Sequence, residues 1–344
     1  MNIIDLHCDT IPRLYAGPGE GVSLRHAPQF QIDLEKMRRG NYLLQNFALF
    51  LDLAHTEHPA QTALSMADLY YSELDKNKDL ILPAFCCSDI AANQAAGKMS
   101  AMLTLEEGDI LEGDLDNLQL FYDKGVRMIT LTWNYPNTIG HPNMIMGENG
   151  IPLFHRRCES GLTPFGIELV REMQRLGIIV DVSHASDGVF YDVLRYTDKP
   201  FAASHSNAAA VCNVCRNLTD DMIRALANRG GVMGLNFCTA FLTESALPDS
   251  PADAADTLAN PLPSTPYVST VEDMVRHVRH IADTGGVEVL GLGSDFDGIS
   301  NAVEFTDASG IQILADALKK AGFCESDLDK IFYKNVLRLY NDAL

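Results

Sequence analysis

Positive charge is scarce in this sequence: 26 Lys and Arg stand against 46 Asp and Glu, for a formal net charge of −20. Nucleic acids and anionic membranes are therefore poor partners, because both would be repelled, while cations are concentrated near the surface. No apolar run reaches the 18 residues of a membrane span. The apolar start is broken by Asp5, His7 and Asp9 before a secretory h-region forms, so a cytoplasmic chain is expected. Glycine-rich phosphate motifs are missing too. Neither GxGxxG nor a P-loop follows an early strand-like run, which weakens a doubly wound nucleotide-binding sheet. There are eight cysteines, but they are scattered and carry no export signal. Cys212 and Cys215 form a lone CxxC without a second pair, so reduced, packed thiols are expected.

What the chain does have is 344 residues, 47% of them hydrophobic, in short apolar runs separated by helical patterns. Strand-like runs fall at 2–8, 42–51, 101–107, 126–133, 177–184, 200–205, 231–237 and 287–295. The clearest helix covers 164–176, with Thr163 to cap it, Pro164 in its first turn and Gly177 to end it. A second covers about 219–229, from Thr219 to Gly230. Further helices are expected near 112–124, 270–283, 308–321 and 326–340. This alternation predicts one α/β domain over 1–344, a (β/α)8 TIM-type barrel, with an open doubly wound sheet as the alternative. Segments 10–35, 134–162 and 238–269 are then long loops at the mouth. The last is rich in Pro, Ala, Asp and Ser and reads as a surface excursion or a flap.

Several strand-like runs end in residues suited to a metal. The first ends in His7 and Asp9, whose two-residue spacing puts both side chains on one face of a strand. The third ends Leu103-Thr104-Leu105-Glu106-Glu107, and Glu107 shares the face of Leu103 and Leu105, which makes it the expected inward carboxylate. The fifth and sixth end in His184 and His205. Unpaired polar groups at so many buried strand ends would be costly, so a metal centre is expected. The eighth ends in Gly291-Leu292-Gly293-Ser294-Asp295, where the glycines should leave room beneath Asp295, a candidate acid or base. Asp297, before Gly298, reads as a turn carboxylate.

These residues, with the Glu-Gly of LEEGD, LTWNYPN, GLTPFG, VDVSH, AASHSNA, CRNLTDD and GSDFDG, resemble the membrane dipeptidase (renal dipeptidase) family of binuclear zinc peptidases. The resemblance spans nearly the whole chain. It implies a (β/α)8 barrel holding two Zn2+, with Glu107 bridging, His7 and Asp9 completing one site, and His184 and His205 the other. It further implies a metal-bridging water as nucleophile, Asp295 moving its proton, and Arg216 reading the C-terminal carboxylate of a small peptide. Trp133 stands where many members have a substrate-contacting histidine, and it can donate one N–H but carries no charge. The rival expectations are another metal-dependent amidohydrolase, acting on N-acyl amino acids or lactones, and a barrel that only binds a ligand. A homodimer is possible as the commonest soluble oligomer.

Overall fold

The computed structural model describes residues 1–17, 19–145, 153–244 and 268–344. Eight parallel strands follow one another around a ring. They are β1 Ile3–Asp5, β2 Tyr42–Phe50, β3 Met99–Glu106, β4 Val126–Thr130, β5 Ile179–Asp181, β6 Ala202–Ala203, β7 Val232–Leu235 and β8 Leu290–Leu292. Each pairs with its successor, and Asp5 of β1 pairs with Leu292 of β8, which closes the ring. The expected (β/α)8 barrel is therefore the fold, and the open sheet is not. One short extra strand, Ile81–Pro83, pairs with the start of β3 on the side that β4 takes over from Leu103 onward.

Strands in such a barrel are buried on both faces, so they read as continuous apolar runs. Inside, Ile4, Leu6, Leu44, Met102, Met128, Ile179 and Val232 fill the lower barrel together with Val336, Leu339 and Tyr340 of helix Asn335–Ala343. That helix forms the floor, and the Asn46 side-chain amide donates to the Tyr340 hydroxyl at 2.7 Å. Outside, Leu103, Leu105, Ile129 and Val180 pack against helix residues such as Leu118, Phe121, Leu169 and Met173. The outer face is thus at least as apolar as the inner one.

Helix Pro164–Leu176 runs as its sequence predicts: Thr163 Oγ1 accepts from Gly166 N–H at 3.0 Å, and Gly177 takes a left-handed φ of 79°. Helix Asp220–Asn228 is likewise capped by Thr219. Between β2 and β3 lie two helices that the apolar pattern does not reveal, Pro59–Lys76 and Cys87–Ala95. The buried stripe of the first begins with Ala60, Ala63 and Ala67, small residues that weaken its periodicity, and it also includes the acidic Glu73. Of the expected loops, 10–35 contains helix Thr10–Tyr15, and 238–269 contains helix Thr239–Leu242 and strand Val268–Ser269. The Pro-, Ala-, Asp- and Ser-rich part, 245–267, lies outside the described residues. All eight cysteines are free thiols. No helix among the described residues is long and apolar enough to cross a membrane.

Candidate metal centre and substrate pocket

The C-terminal ends of β1, β3, β5 and β6 bring five donor side chains together. His7 Nε2 lies 3.4 Å from Asp9 Oδ2 and 3.2 Å from Glu106 Oε2. The other oxygen of the same carboxylate, Glu106 Oε1, lies 3.0 Å from His184 Nε2 and 3.6 Å from His205 Nε2. Glu106 therefore offers one oxygen to each half of the cluster. That is the place the sequence assigned to Glu107, and the assignment is corrected here. Glu107 follows the last residue of β3 at a left-handed φ of 78°, and its carboxylate turns away from the cluster. It accepts from Trp133 N–H at 3.0 Å, Asp109 N–H at 3.1 Å and the Asn137 side chain at 2.5 Å. The face shared with Leu103 and Leu105 is the outer face, which packs on helices, and Glu106 continues the inner face of Met102 and Thr104.

The donor chemistry fits a pair of divalent cations. His184 Nδ1 faces the Asn134 side-chain oxygen at 3.1 Å, so its proton sits there and Nε2 presents a lone pair. His205 is fixed the same way from below: Ser204 Oγ donates to Asp181 Oδ2 at 2.5 Å, leaving its lone pair to accept from His205 Nδ1–H at 2.7 Å. Two Nε2 lone pairs then face each other at 3.1 Å beside a carboxylate oxygen. Such an arrangement is repulsive until a cation sits among them. On the other side, His7 Nε2 and Asp9 Oδ1 are buried without a hydrogen-bond partner among the described residues. Charge tells the same story. Burial would push the Glu106 carboxyl up, yet the imidazole of His7 beside it holds it well below the usual range. His7 is raised well above its ordinary value despite burial, because Glu106 and Asp9 demand a positive charge there. Burial lowers His184 to about 4, which keeps it neutral and ligand-ready.

This layout predicts a role for Ser204. Ser204→Ala removes the acceptor that fixes the His205 tautomer and should weaken metal affinity by about 10- to 100-fold, the usual scale for partners behind a ligand. Competition with a chromophoric chelator measures it, and an unchanged affinity would remove Ser204 from the centre.

Above the cluster lies a cavity of about 410 Å³ lined by Asp9, Glu106, Trp133, His184, Arg216 and Asp295, among others. Asp295 follows β8 at a φ of 60°, with its Oδ2 accepting from the Asn236 side chain at 3.0 Å. Burial pushes it up to about 7, so it can exchange a proton near neutrality. A ligand atom of Asp295 lies within 4.8 Å of ligand atoms of His7 and Asp9. Gly298 makes this closeness possible, since a Cβ there would stand 2.1 Å from Asp9 Oδ2 and 2.5 Å from Asp295 Oδ1. The room expected at Gly293 is filled by the neighbouring backbone: a Cβ would meet the Ser204 carbonyl at 1.8 Å. Asp297 is structural, as its sequence suggests, and accepts from Thr10 Oγ1 at 2.6 Å and Gln31 N–H at 2.7 Å. With Glu107 and His184, these two aspartates are left-handed residues at the barrel mouth, where backbone strain commonly accompanies function.

Arg216 is not a surface residue. It is 1% exposed and stacks over Phe241 at 5.0 Å. Among the described residues its guanidinium donates only long bonds, to Ser206 Oγ at 3.3 Å and His205 O at 3.4 Å, and its Nε has no partner. Trp133 is half-buried, lines the same cavity and lies 6.4 Å from the His184 ring. Sequence reasoning missed Glu106, Asn134, Asn236, Asp181 and Ser204. For Glu106 the signal was present, in the continuation of the Met102, Thr104, Glu106 register.

Comparison with known proteins agrees with this geometry. The family model described as membrane dipeptidase, peptidase family M19, matches residues 1–343. The chain is 35% identical over 247 residues to an uncharacterised protein in the pqqA 5′ region of Klebsiella pneumoniae, covering 72% of this chain and 83% of that one. It is 30% identical over 322 residues to the uncharacterised dipeptidase C965.12 of Schizosaccharomyces pombe, covering 90% and 71%. Among solved structures it is similar to a metallopeptidase from Rhodobacter sphaeroides liganded with a phosphinate mimic of the dipeptide L-Ala-D-Ala. The TM-score is 0.84 and the identity 27%, over 100% of this chain and 99% of that one. The chain therefore belongs to peptidase family M19, the membrane dipeptidase family, and is a metallopeptidase acting on dipeptides.

Proposed function

We propose that the enzyme is a zinc dipeptidase selective for small dipeptides with a free C-terminal carboxylate. The observation that carries this reading is Arg216, a buried guanidinium with an unpartnered Nε on the cavity that also holds Glu106 and Asp295. A buried cation without a carboxylate in hydrogen-bonding contact is costly unless a ligand supplies one, and a guanidinium fork matches a carboxylate with two parallel bonds.

His7 and Asp9 would hold one zinc ion, His184 and His205 the other, and Glu106 would bridge them. Two zinc ions held there would supply a water of lowered pKa and polarise the peptide carbonyl. Arg216 fixes the far end of the substrate, which sets the scissile bond over the cluster. Asp295, with Asn236 holding one of its oxygens, takes the proton from the attacking water and hands it to the leaving amine. The cavity of about 410 Å³ is in the range for small ligands and supports a substrate of two residues. A reducing compartment such as the cytoplasm is supported by the eight free thiols.

The test compares free and C-terminally amidated dipeptides. Wild type should cleave the amides poorly. Arg216→Met should raise KM for the free dipeptide by about 30- to 5,000-fold, the equivalent of losing 2–5 kcal/mol from a buried charge pair. Arg216→Lys keeps the charge without the planar fork and should rescue only in part. Equal cleavage of acids and amides by wild type refutes carboxylate recognition and leaves a broader amidase.

A further inference from the structure

The ring order of the barrel gives the pocket two distinct sides. Arg216 follows β6 and stacks on Phe241, which follows β7. Across the ring Phe50 ends β2, and Trp133, which follows β4, packs on it. In an eight-stranded ring β2 faces β6, so Phe50 stands opposite Arg216 with the donor cluster of β1, β3, β5 and β6 between them, while Trp133 flanks Phe50 on the β4 side and lies 6.4 Å from the His184 ring. The Phe50 and Trp133 rings pack together with centroids 4.9 Å apart, and Tyr135, 42% exposed, extends the surface at 5.8 Å from Trp133.

This wall is held in place before any ligand arrives. Glu107 accepts from Trp133 N–H, and Asn137 bonds both Glu107 and the Leu131 carbonyl, so the main chain beneath the indole is fixed at both ends. The pocket carboxylates Asp9, Asp295 and Asp297 belong to the β1 and β8 side. On the wall side stand Glu106, already engaged by three imidazoles, and Glu107, whose oxygens accept from Trp133 N–H, Asp109 N–H and the Asn137 side chain. A charged substrate side chain there would be desolvated against ring faces with no counter-ion of its own.

We infer that the Phe50–Trp133–Tyr135 wall receives the side chain of the substrate's amino-terminal residue, and that the enzyme prefers dipeptides whose first residue is aromatic or large and apolar. The inference rests on the proposed role of Arg216, because a carboxylate held at β6 sends the amino-terminal residue across the cluster toward Phe50 at the end of β2, against which Trp133 packs.

The experiment uses the metal-loaded enzyme with two panels, X-Gly and Gly-X, where X is Phe, Leu, Ala, Asp or Lys, each as acid and as C-terminal amide. Wild type should favour Phe-Gly and Leu-Gly over Asp-Gly and Lys-Gly by about ten-fold or more in kcat/KM, with a weaker spread across Gly-X. Trp133→Ala should collapse the ratio of Phe-Gly to Ala-Gly by about ten-fold, and Trp133→Phe should largely restore it. A flat X-Gly panel, a preference for Lys or Asp in first position, or a stronger spread in Gly-X overturns the inference, whatever the amides do. If amides are cleaved as well as acids while the first-position preference persists and depends on Trp133, the wall is supported and the role of Arg216 is the part that fails.

Discussion

Glu106→Gln should lose metal and lower kcat/KM by about 10³-fold or more, while Glu107→Gln keeps both ions. The two residues are adjacent and chemically identical, so the pair of variants isolates position from composition. Glu106 places one oxygen 3.2 Å from His7 Nε2 and the other 3.0 Å from His184 Nε2, and no neighbouring carboxylate can take over both contacts. An amide leaves a neutral oxygen on one side and an NH2 group on the other, which repels a cation. Since losing a partner behind a ligand already costs about 10- to 100-fold in affinity, losing the shared ligand should exceed that, and catalysis falls with it. Elemental analysis after gel filtration should give two equivalents for wild type and Glu107→Gln, and under one for Glu106→Gln. Glu107→Gln should instead disturb substrate preference, because its carboxylate anchors the main chain of Trp133. If Glu107→Gln empties the centre and Glu106→Gln does not, the geometry described above is wrong.

Asp295→Asn is the second large effect. The amide is nearly isosteric, and Asn236 can still bond its oxygen, so metal content and KM should change little while kcat drops by about 10²- to 10⁴-fold, the range for losing one proton-transfer group. Burial raises Asp295 to about 7, which suits a group that must accept and then release a proton near neutrality. Its carboxylate lies within 4.8 Å of the ligand atoms of His7 and Asp9, close enough to meet a proton released at the cluster. Steady-state kinetics with parallel metal analysis decides the matter: a kcat within three-fold of wild type at full metal content excludes Asp295 as the proton carrier.

Much of this site is legible in the chain itself, and the reason is the barrel. Its active end lies where strands stop, so an apolar run ending in His7, His184 or His205 announces both the element and the position of the ligand. The same architecture hides the carboxylate. Alternation identifies an inner face only when the outer one is polar, and β3 is apolar on both, with Leu103 and Leu105 facing helices and Met102 facing the interior. Asp5 and Asp181 are hidden for a related reason. Each is wholly buried within a strand, and only in three dimensions does Asp5 meet Ser294, and Asp181 meet Ser204 and Thr130. Arg216 carries no local signal either. Its burial comes from Ser206, Phe241 and the loop after β6, which sequence spacing does not reveal.

Closure of β1 against β8 sets a timetable for synthesis. His7, Asp9, Glu106, His184 and His205 all leave the ribosome before β8, yet β1 has β2 as its only partner until Leu292 arrives beside Asp5. Until then the strand bearing the first two donors is an edge strand, and the interior has no floor before helix Asn335–Ala343 follows. A nascent chain arrested after β6 thus carries every donor and no site. Assembly of the five donors into one cluster therefore waits for β8 to close the ring, and long-range pairing of this kind makes the incomplete chain slow to fold and prone to sticking to its neighbours.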